Sequence, residues 1–195
     1  MSEVNPDYPI IGVVLHAPYF VFLRGMPLPT DGEVLELLFP PPRSWWRGLL
    51  GAPAHERVPV PVDLQLGEEY VYVGEQAGWY MIADDWYYHL WHRRDRKELL
   101  QRLAARWELF TLVRPDVDES YEFVHSVGGR RVRERRVESP HYTDRVVTIE
   151  HGRPLPCETD DLYGQDGEQI VWTVAAAVGV PRVHDRAALR RYRRL

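Results

Sequence analysis

The residues that could do chemistry in this sequence are scattered histidines, aspartates and arginines, because the standard catalytic motifs are missing. There is no G-x-x-x-x-G-K-[ST] phosphate loop, no G-x-G-x-x-G turn and no G-x-S-x-G nucleophile elbow. An H-E-x-x-H zinc pair is also missing, since His55-Glu56 is followed by residues 57–59, Arg-Val-Pro. These absences argue against the nucleotide-binding, serine hydrolase and zinc protease classes.

Clustered carboxylates stand in the loop before the last long helical segment, at Asp160, Asp161 and Asp166. Such a cluster can bind calcium, but an EF-hand loop needs acidic residues at alternating positions. Counting from Asp161, the third and fifth positions are Tyr163 and Gln165, so the pattern fails. We predict no metal site here, and expect Asp166 to cap a helix while the loop offers an acidic contact surface.

Histidine and cysteine give weaker signals. His89 and His92 lie three apart, which places them on opposite faces of the predicted strand, so we predict no metal site there. The single cysteine excludes an internal disulfide and any zinc site built from several cysteines. An enzyme with a divergent site remains an alternative, with His125, His141 and Glu150 as its candidate residues. No cofactor is expected.

Arginine-rich stretches are the other candidate. Alternation along a predicted hairpin strand sends Arg131, Arg133 and Arg135 to one face, and a predicted C-terminal helix carries Arg190 and Arg191. These five side chains could contact phosphates in a nucleic-acid-associated regulatory protein. However, the chain has a net charge of −5, and glutamates are interleaved with the arginines. We therefore expect an ion-paired sheet face, with nucleic acid an unlikely partner.

Composition and charge limit the class of protein to which these residues can belong. The 195 residues are 45% hydrophobic and 27% charged, which is typical of one folded domain. Residues 1–90 hold 12 acidic residues against four arginines, whereas residues 91–195 carry an excess of three positive charges. The N-terminus lacks the basic start of a signal peptide, and no apolar run reaches the roughly 20 residues of a membrane helix. We expect a cytoplasmic protein that does not enter the membrane.

The predicted strands and helices that position these residues indicate a single domain, residues 1–195. Residues 1–65 hold 11 of the 16 prolines and are predicted to form an irregular part packed on a core at 66–195. One short helix is expected in this part, capped by Thr30 with Glu33 completing a capping box. The apolar run that ends at Leu23 predicts one or two buried strands.

The core is predicted to alternate groups of strands with helices. The predicted strands are 70–76, 79–83, 86–92, 109–114, 120–127, 130–138 and 145–150, with a Gly128-Gly129 hairpin turn. The predicted helices begin after Asp95, Asp166 and Asp185. Without βαβ alternation, this order predicts an α+β fold: a mainly antiparallel sheet of meander and hairpins, with two or three helices packed on one face.

Four short segments of the region 70–180 stand out: Gly78-Trp79, Tyr121-Glu122-Phe123 with its hairpin to Arg133, the stretch 152–158 and Val178-Gly179-Val180. In these segments the chain resembles small bacterial proteins of unknown function, some of which are similar to immunity proteins encoded beside polymorphic toxins. The resemblance implies a non-enzymatic protein that neutralises a cognate toxin by direct contact.

The predicted contact residues combine aromatic anchors with acidic side chains. An acidic surface suits a toxin with a basic cleft, since opposite charge accelerates association, and tryptophan is frequent at interface hot spots. The predicted contact residues are Trp79, Asp84, Asp85, Trp86, Asp160, Asp161 and Asp166.

Overall fold

The computed structural model describes residues 19–39, 55–60, 70–84, 90, 94–113, 119–139, 144–182 and 189–194. Nine strands and four helices lie in these ranges. The strands are β1 Tyr19–Arg24, β2 His55–Val58, β3 Tyr70–Gln76, β4 Trp79–Asp84, β5 Glu108–Val113, β6 Tyr121–Val127, β7 Arg130–Glu138, β8 Val146–Gly152 and β9 Arg190–Arg194. The helices are α1 Asp31–Leu38, α2 Arg96–Ala104, α3 Asp160–Tyr163 and α4 Gly167–Ala177. Asp85, Trp86, His89, His92, His141 and Asp185 lie outside the described residues.

The nine strands form one sheet in the order β2-β9-β3-β4-β1-β5-β6-β7-β8. Every neighbouring pair is antiparallel. The predicted α+β class with a mainly antiparallel sheet is therefore confirmed. The two-residue turn is confirmed as well, because Gly128 and Gly129 have φ values of +58° and +76°, which favour glycine.

Strand β1 lies in the middle of the sheet, between β4 and β5. Its first five residues, Tyr-Phe-Val-Phe-Leu, are all buried, so the predicted buried strand ending at Leu23 is confirmed. The predicted irregular part, 1–65, includes this segment. Residues 19–24 belong to the centre of the core, because an uninterrupted apolar run is stable only where both faces of a sheet are covered.

Helices cover both faces of the sheet, which corrects the expectation of one covered face. On one face, here called the α4 face, Phe20 and Phe22 pack against Trp172 with ring centroids 5.6 and 6.2 Å away. The other face, here called the α2 face, carries α1 and α2 through residues such as Leu35 and Leu103. Within the described ranges, no helix is long and apolar enough to cross a bilayer.

Two of the predicted helix caps are made as expected. The Thr30 hydroxyl accepts a hydrogen bond from the Glu33 amide at 3.3 Å, and the Glu33 carboxylate accepts one from the Thr30 amide at 2.9 Å. Asp166 accepts a hydrogen bond from the Gln169 amide at 2.7 Å at the start of α4. Asp95 occupies the cap position of α2 but makes no side-chain capping bond.

The predicted C-terminal helix is wrong, because residues 190–194 form strand β9 between β2 and β3. In Arg-Arg-Tyr-Arg-Arg the side chains of Arg190 and Tyr192 point to the α2 face, where both donate hydrogen bonds of 2.6 Å to Asp31 of α1. These contacts and the ladders to β2 and β3 join residues far apart in sequence. They stabilise the strand over a short helix.

Candidate functional site

Two of the predicted contact residues are buried and cannot touch a partner. Trp79 is 1% exposed, and the Arg24 guanidinium lies 4.5 Å from the centre of its ring. Asp84 is also 1% exposed and accepts a hydrogen bond from the Leu90 amide at 2.7 Å. The prediction fails for both residues because β4 is covered on its two faces, so neither face of this strand is available for contact.

Three other predicted acids remain at the surface. Asp160, Asp161 and Asp166 are exposed, and we call them the acidic ledge. Within the described ranges none of the three forms an ion pair. The Thr159 hydroxyl caps α3 by accepting from the Leu162 amide at 3.2 Å, and Asp166 caps α4. The ledge carboxylates therefore stand on two capped helix starts, with backbone positions that are fixed before any partner arrives.

Contacts beneath the acidic ledge hold it against the sheet. Leu162 of α3 and Ile170 of α4 belong to the core of the α4 face. The Arg135 guanidinium lies 3.8 Å from the centre of the Tyr163 ring, and Arg145 donates a hydrogen bond of 2.8 Å to the Tyr163 carbonyl. Through Arg145, which directly precedes β8, the ledge is tied to the last strand of the sheet.

That strand carries two exposed apolar side chains, which point to opposite faces of the sheet because they are consecutive. Val146, 49% exposed, points to the α2 face. Val147, 46% exposed, pairs with Val137 of the α4-face core and so lies on the α4 face; we call Val147 the β8 apolar edge. Within the described residues β8 pairs only with β7, so its outer side is the rim of the sheet. The acidic ledge and the β8 apolar edge lie on the same side of the sheet, the α4 face, and together are called here the contact face.

The arginine ribbon predicted on β7 is interrupted by a bulge. The register between β6 and β7 shifts at His125/Ser126, so that Arg133 pairs with His125 and Arg131 with Ser126. Arg133 and Arg135 therefore lie on the α4 face, whereas Arg131 lies on the α2 face. The prediction that Arg131, Arg133 and Arg135 share a face is wrong. Arg131 instead forms an ion pair with Glu134 on its own strand.

Arg133 is a buried structural cation. Only 1% exposed, it donates from Nε to the two carboxylate oxygens of Glu158 at 2.9 and 3.0 Å. Its Nη1 donates to the carbonyls of Glu134 and His151 at 3.1 and 3.0 Å. Burial alone would raise the pKa of Glu158, but hydrogen bonds from Arg133, the Leu155 amide and Tyr163 outweigh it and hold that pKa below its usual value.

The other arginines predicted to meet phosphates are also engaged inside the molecule. Arg135 pairs with Glu150 and donates to the Tyr121 hydroxyl at 3.1 Å. Arg190 donates through two nitrogens to Asp31 at 2.6 Å, and the Arg191 guanidinium lies 4.2 Å from the centre of the Tyr70 ring.

The hydrogen bonds that Asp31 accepts shift the pKa of its carboxyl group. Burial would raise the pKa of this carboxyl group, but hydrogen bonds from Arg190, Tyr192 and Tyr80 lower it overall. The carboxylate therefore ties the start of α1 to β4 and β9, which is a structural role.

Of the residues suggested for a divergent enzyme site, His125 has the most distinctive surroundings. Its Nε2 lies 3.0 Å from Oε1 of Glu108, which also receives Arg24 at 2.8 Å. Its Nδ1 is buried and has no hydrogen-bond partner among the residues that the structure describes. Glu150 is on the same face but pairs with Arg133 and Arg135. The structure thus does not join His125 and Glu150 into one site, and His125 itself is only 9% exposed.

Sequence reasoning missed a groove beside α2. It lies on the α2 face, between the helix and strands β5–β8, and has a volume of about 480 Å³ bounded by the described residues. We call it the α2 groove. Its lining residues are Lys97, Leu100, Gln101, Ala104, Leu109, Val124, Ser126, Gly129, Arg131, Glu134, Ile149 and His151. The signal was the spacing 97, 100, 101 and 104, which places mixed side chains along one face of a helix.

The described part of the chain contains no group of three or more histidine, cysteine, aspartate or glutamate side chains arranged to bind a metal ion. Comparison with known proteins adds no functional assignment: no family model, curated protein or solved structure matches this chain.

Proposed function

We propose that this chain is a non-enzymatic binding protein of the immunity type, which neutralises a toxin by covering a basic cleft with its contact face. One observation carries the proposal: exposed carboxylates that form no ion pair with the described residues stand on capped helices of the α4 face, to which the exposed β8 apolar edge also points. Interfaces combine apolar contact area with charged surroundings in this way. Most other charged clusters of the described chain are neutralised by their own neighbours.

Electrostatics favours a basic partner for this face. Three exposed carboxylates that form no ion pair with the described residues attract positive charge and raise the association rate at low ionic strength. Because caps fix the helix starts, little conformational entropy is lost when a partner docks. The β8 apolar edge adds area that gains free energy when it leaves water. A basic, partly apolar cleft complements both features.

The internal ion pairs support a role without catalysis. Arg133, Arg135 and Arg190 are each held by carboxylates of this chain, so their charges stabilise the fold. His125 has a carboxylate partner but is almost wholly buried. These groups are therefore poorly placed to meet a substrate.

The test is co-expression of this chain with the product of the neighbouring gene. We expect that product to stop growth when expressed alone, and to be tolerated when this chain is present. A neighbour that is harmless, or a toxic one that is not relieved by this chain, would overturn the proposal.

Matched variants locate the contact face in the same assay. The ledge variant Asp160→Asn/Asp161→Asn/Asp166→Ser removes three charges, while serine keeps the cap of α4. The control Glu36→Gln/Glu98→Gln/Glu138→Gln removes three charges from exposed carboxylates elsewhere. We expect protection to fall in the ledge variant and persist in the control. Equal protection by both would show that the ledge is not the contact.

A further inference from the structure

The α2 groove has the size and lining of a small-molecule site. A volume of about 480 Å³ is within the range of ligand pockets. Its floor rests on Leu109 and Val124, which are 1% and 4% exposed, while the partly exposed aliphatic side chains of the lining are Leu100 and Ile149. Leu100 and Ala104 of α2 form the wall, and Ile149 of β8 lies across from them. The middle of the groove is therefore mainly apolar.

The groove is elongated along the helix axis. Lys97 lies in the first turn of α2, and Ala104 is its last residue, about 10 Å away at 1.5 Å per residue. The far end is marked by the β6–β7 turn, since a Cβ placed on Gly129 would lie 3.7 Å from the Cα of Ala105. The two ends thus differ: Lys97 stands at one, and Arg131 near the other.

The charges at these two ends are not equivalent. Arg131 is neutralised by Glu134, which is 5% exposed in the floor of the groove. Lys97 is exposed and forms no ion pair with the residues that the structure describes. A ligand with a negative group would therefore find its electrostatic partner at the N-terminal end of α2, with an apolar channel leading away from it.

From this arrangement we infer that the α2 groove binds a small amphipathic anion, with a carboxylate or similar group at Lys97 and an aliphatic body between Leu100 and Ile149. The inference does not rest on the proposed function. The groove lies on the α2 face, whereas the acidic ledge belongs to helices packed on the α4 face.

Binding is measured with the full chain and monomeric straight-chain carboxylates. Octanoate, nonanoate and decanoate, each below its micelle concentration, compete with the fluorescent anion 1-anilinonaphthalene-8-sulfonate. We expect saturable 1:1 binding of the probe and a gain of about fourfold in affinity for each added methylene. Decyltrimethylammonium, with the opposite charge, is expected to bind at least tenfold more weakly than decanoate.

Two pairs of variants test the placement. Lys97→Gln is expected to weaken decanoate binding about threefold to fivefold, the range of a solvent-accessible ion pair, while Arg102→Gln on the same helix outside the groove leaves it unchanged. Ile149→Glu, which places a negative charge in the groove, is expected to abolish competition. Val127→Glu changes a 44% exposed valine outside the lining and should have no effect.

Three results would overturn the inference: no saturable binding by the folded wild-type chain, equal affinity for the cationic and anionic amphiphiles, or equal effects of Ile149→Glu and Val127→Glu. Circular dichroism and the unfolding midpoint of each variant separate loss of the site from loss of the fold. Should Ile149→Glu unfold the chain, the Lys97→Gln and Arg102→Gln pair still decides the placement.

Discussion

Replacing Glu158 with glutamine tests whether the hairpin arginines serve the fold. The Glu158 side chain is fully buried and accepts hydrogen bonds from Arg133 Nε, the Leu155 amide and the Tyr163 hydroxyl. Glutamine has nearly the same shape but no charge, and its amide group would direct N–H donors towards the N–H donors of Arg133. Arg133 would keep Glu150, two backbone carbonyls and, at 3.4 Å, the Tyr163 hydroxyl as partners.

The size of the effect follows from burial. Removing one partner of a buried ion pair typically costs about 3–5 kcal/mol, because the other charge remains desolvated. Glu150 is 41% exposed and already pairs with Arg133, so it compensates in part. We therefore expect Glu158→Gln to lower the free energy of unfolding by about 3 kcal/mol. The matched exposed pair, Arg193 with Glu56, predicts a loss below about 1 kcal/mol for Glu56→Gln.

Urea unfolding followed by tryptophan fluorescence gives both values, provided that the slope m is the same in wild type and variant. Affinity for the proposed partner should be unchanged in Glu158→Gln at temperatures where the variant is folded. A loss no larger than that of Glu56→Gln would refute the reasoning, since it would mean that water reaches Arg133 and that its charge is not stabilised by Glu158.

Three further predictions concern the backbone, a helix cap and pH. Gly152 has φ +80°, and a Cβ there would overlap the Val132 carbonyl oxygen, so Gly152→Ala should lower the free energy of urea unfolding by at least about 2 kcal/mol. Gly78→Ala, where φ is +77° and no described atom lies within 4 Å of the added Cβ, should lower it by about 1 kcal/mol; equal losses would contradict the close approach. Asp166→Ala should lower the free energy of unfolding by about 1 kcal/mol and Asp166→Ser by only a few tenths of a kcal/mol. A large loss in the serine variant would show that the helix cap is not what Asp166 contributes to stability. Burial, partly opposed by Arg96, raises the pKa of Tyr19 to about 12 from 10.0. The stability that Tyr19 contributes through this shift is therefore present below pH 10 and is lost as the pH rises towards 12. In Tyr19→Phe the free energy of unfolding should fall less between these pH values, and an unchanged fall would contradict the shift.

Local patterns predicted much of the fold. Strands β3 and β7 have the predicted bounds, and the capping box at Thr30 and Glu33 is present, because these features depend on alternation and on groups three residues apart. Strand β9 was predicted as a helix because Ala188, Leu189 and Tyr192 also fit a helical stripe. Its real partners are strands more than 100 residues away, which a local pattern does not reveal.

The candidate site was predictable only in part. The carboxylates of the acidic ledge were identified from composition and helix capping, which are local features. The burial of Trp79 and Asp84 depends on helices from both ends of the chain covering the same strand. The separation of Arg131 from Arg133 depends on one bulge, and a one-residue change of register moves a side chain to the other face.

The α2 groove depends on the strand order. Lys97, Leu100 and Ala104 predict a mixed helix face, but the floor comes from β5–β8, whose neighbours are known only from the folded sheet.

The most direct test of the account is the association rate between this chain and the neighbouring gene's product, measured by stopped flow at several salt concentrations. For wild type we expect a rate that falls steeply with salt, and for the ledge variant a rate at least tenfold lower at low salt with a weaker salt dependence. The control lacking the carboxylates of Glu36, Glu98 and Glu138 should follow the wild type. If the ledge variant and the control associate at the same rate, the acidic ledge does not recognise the partner.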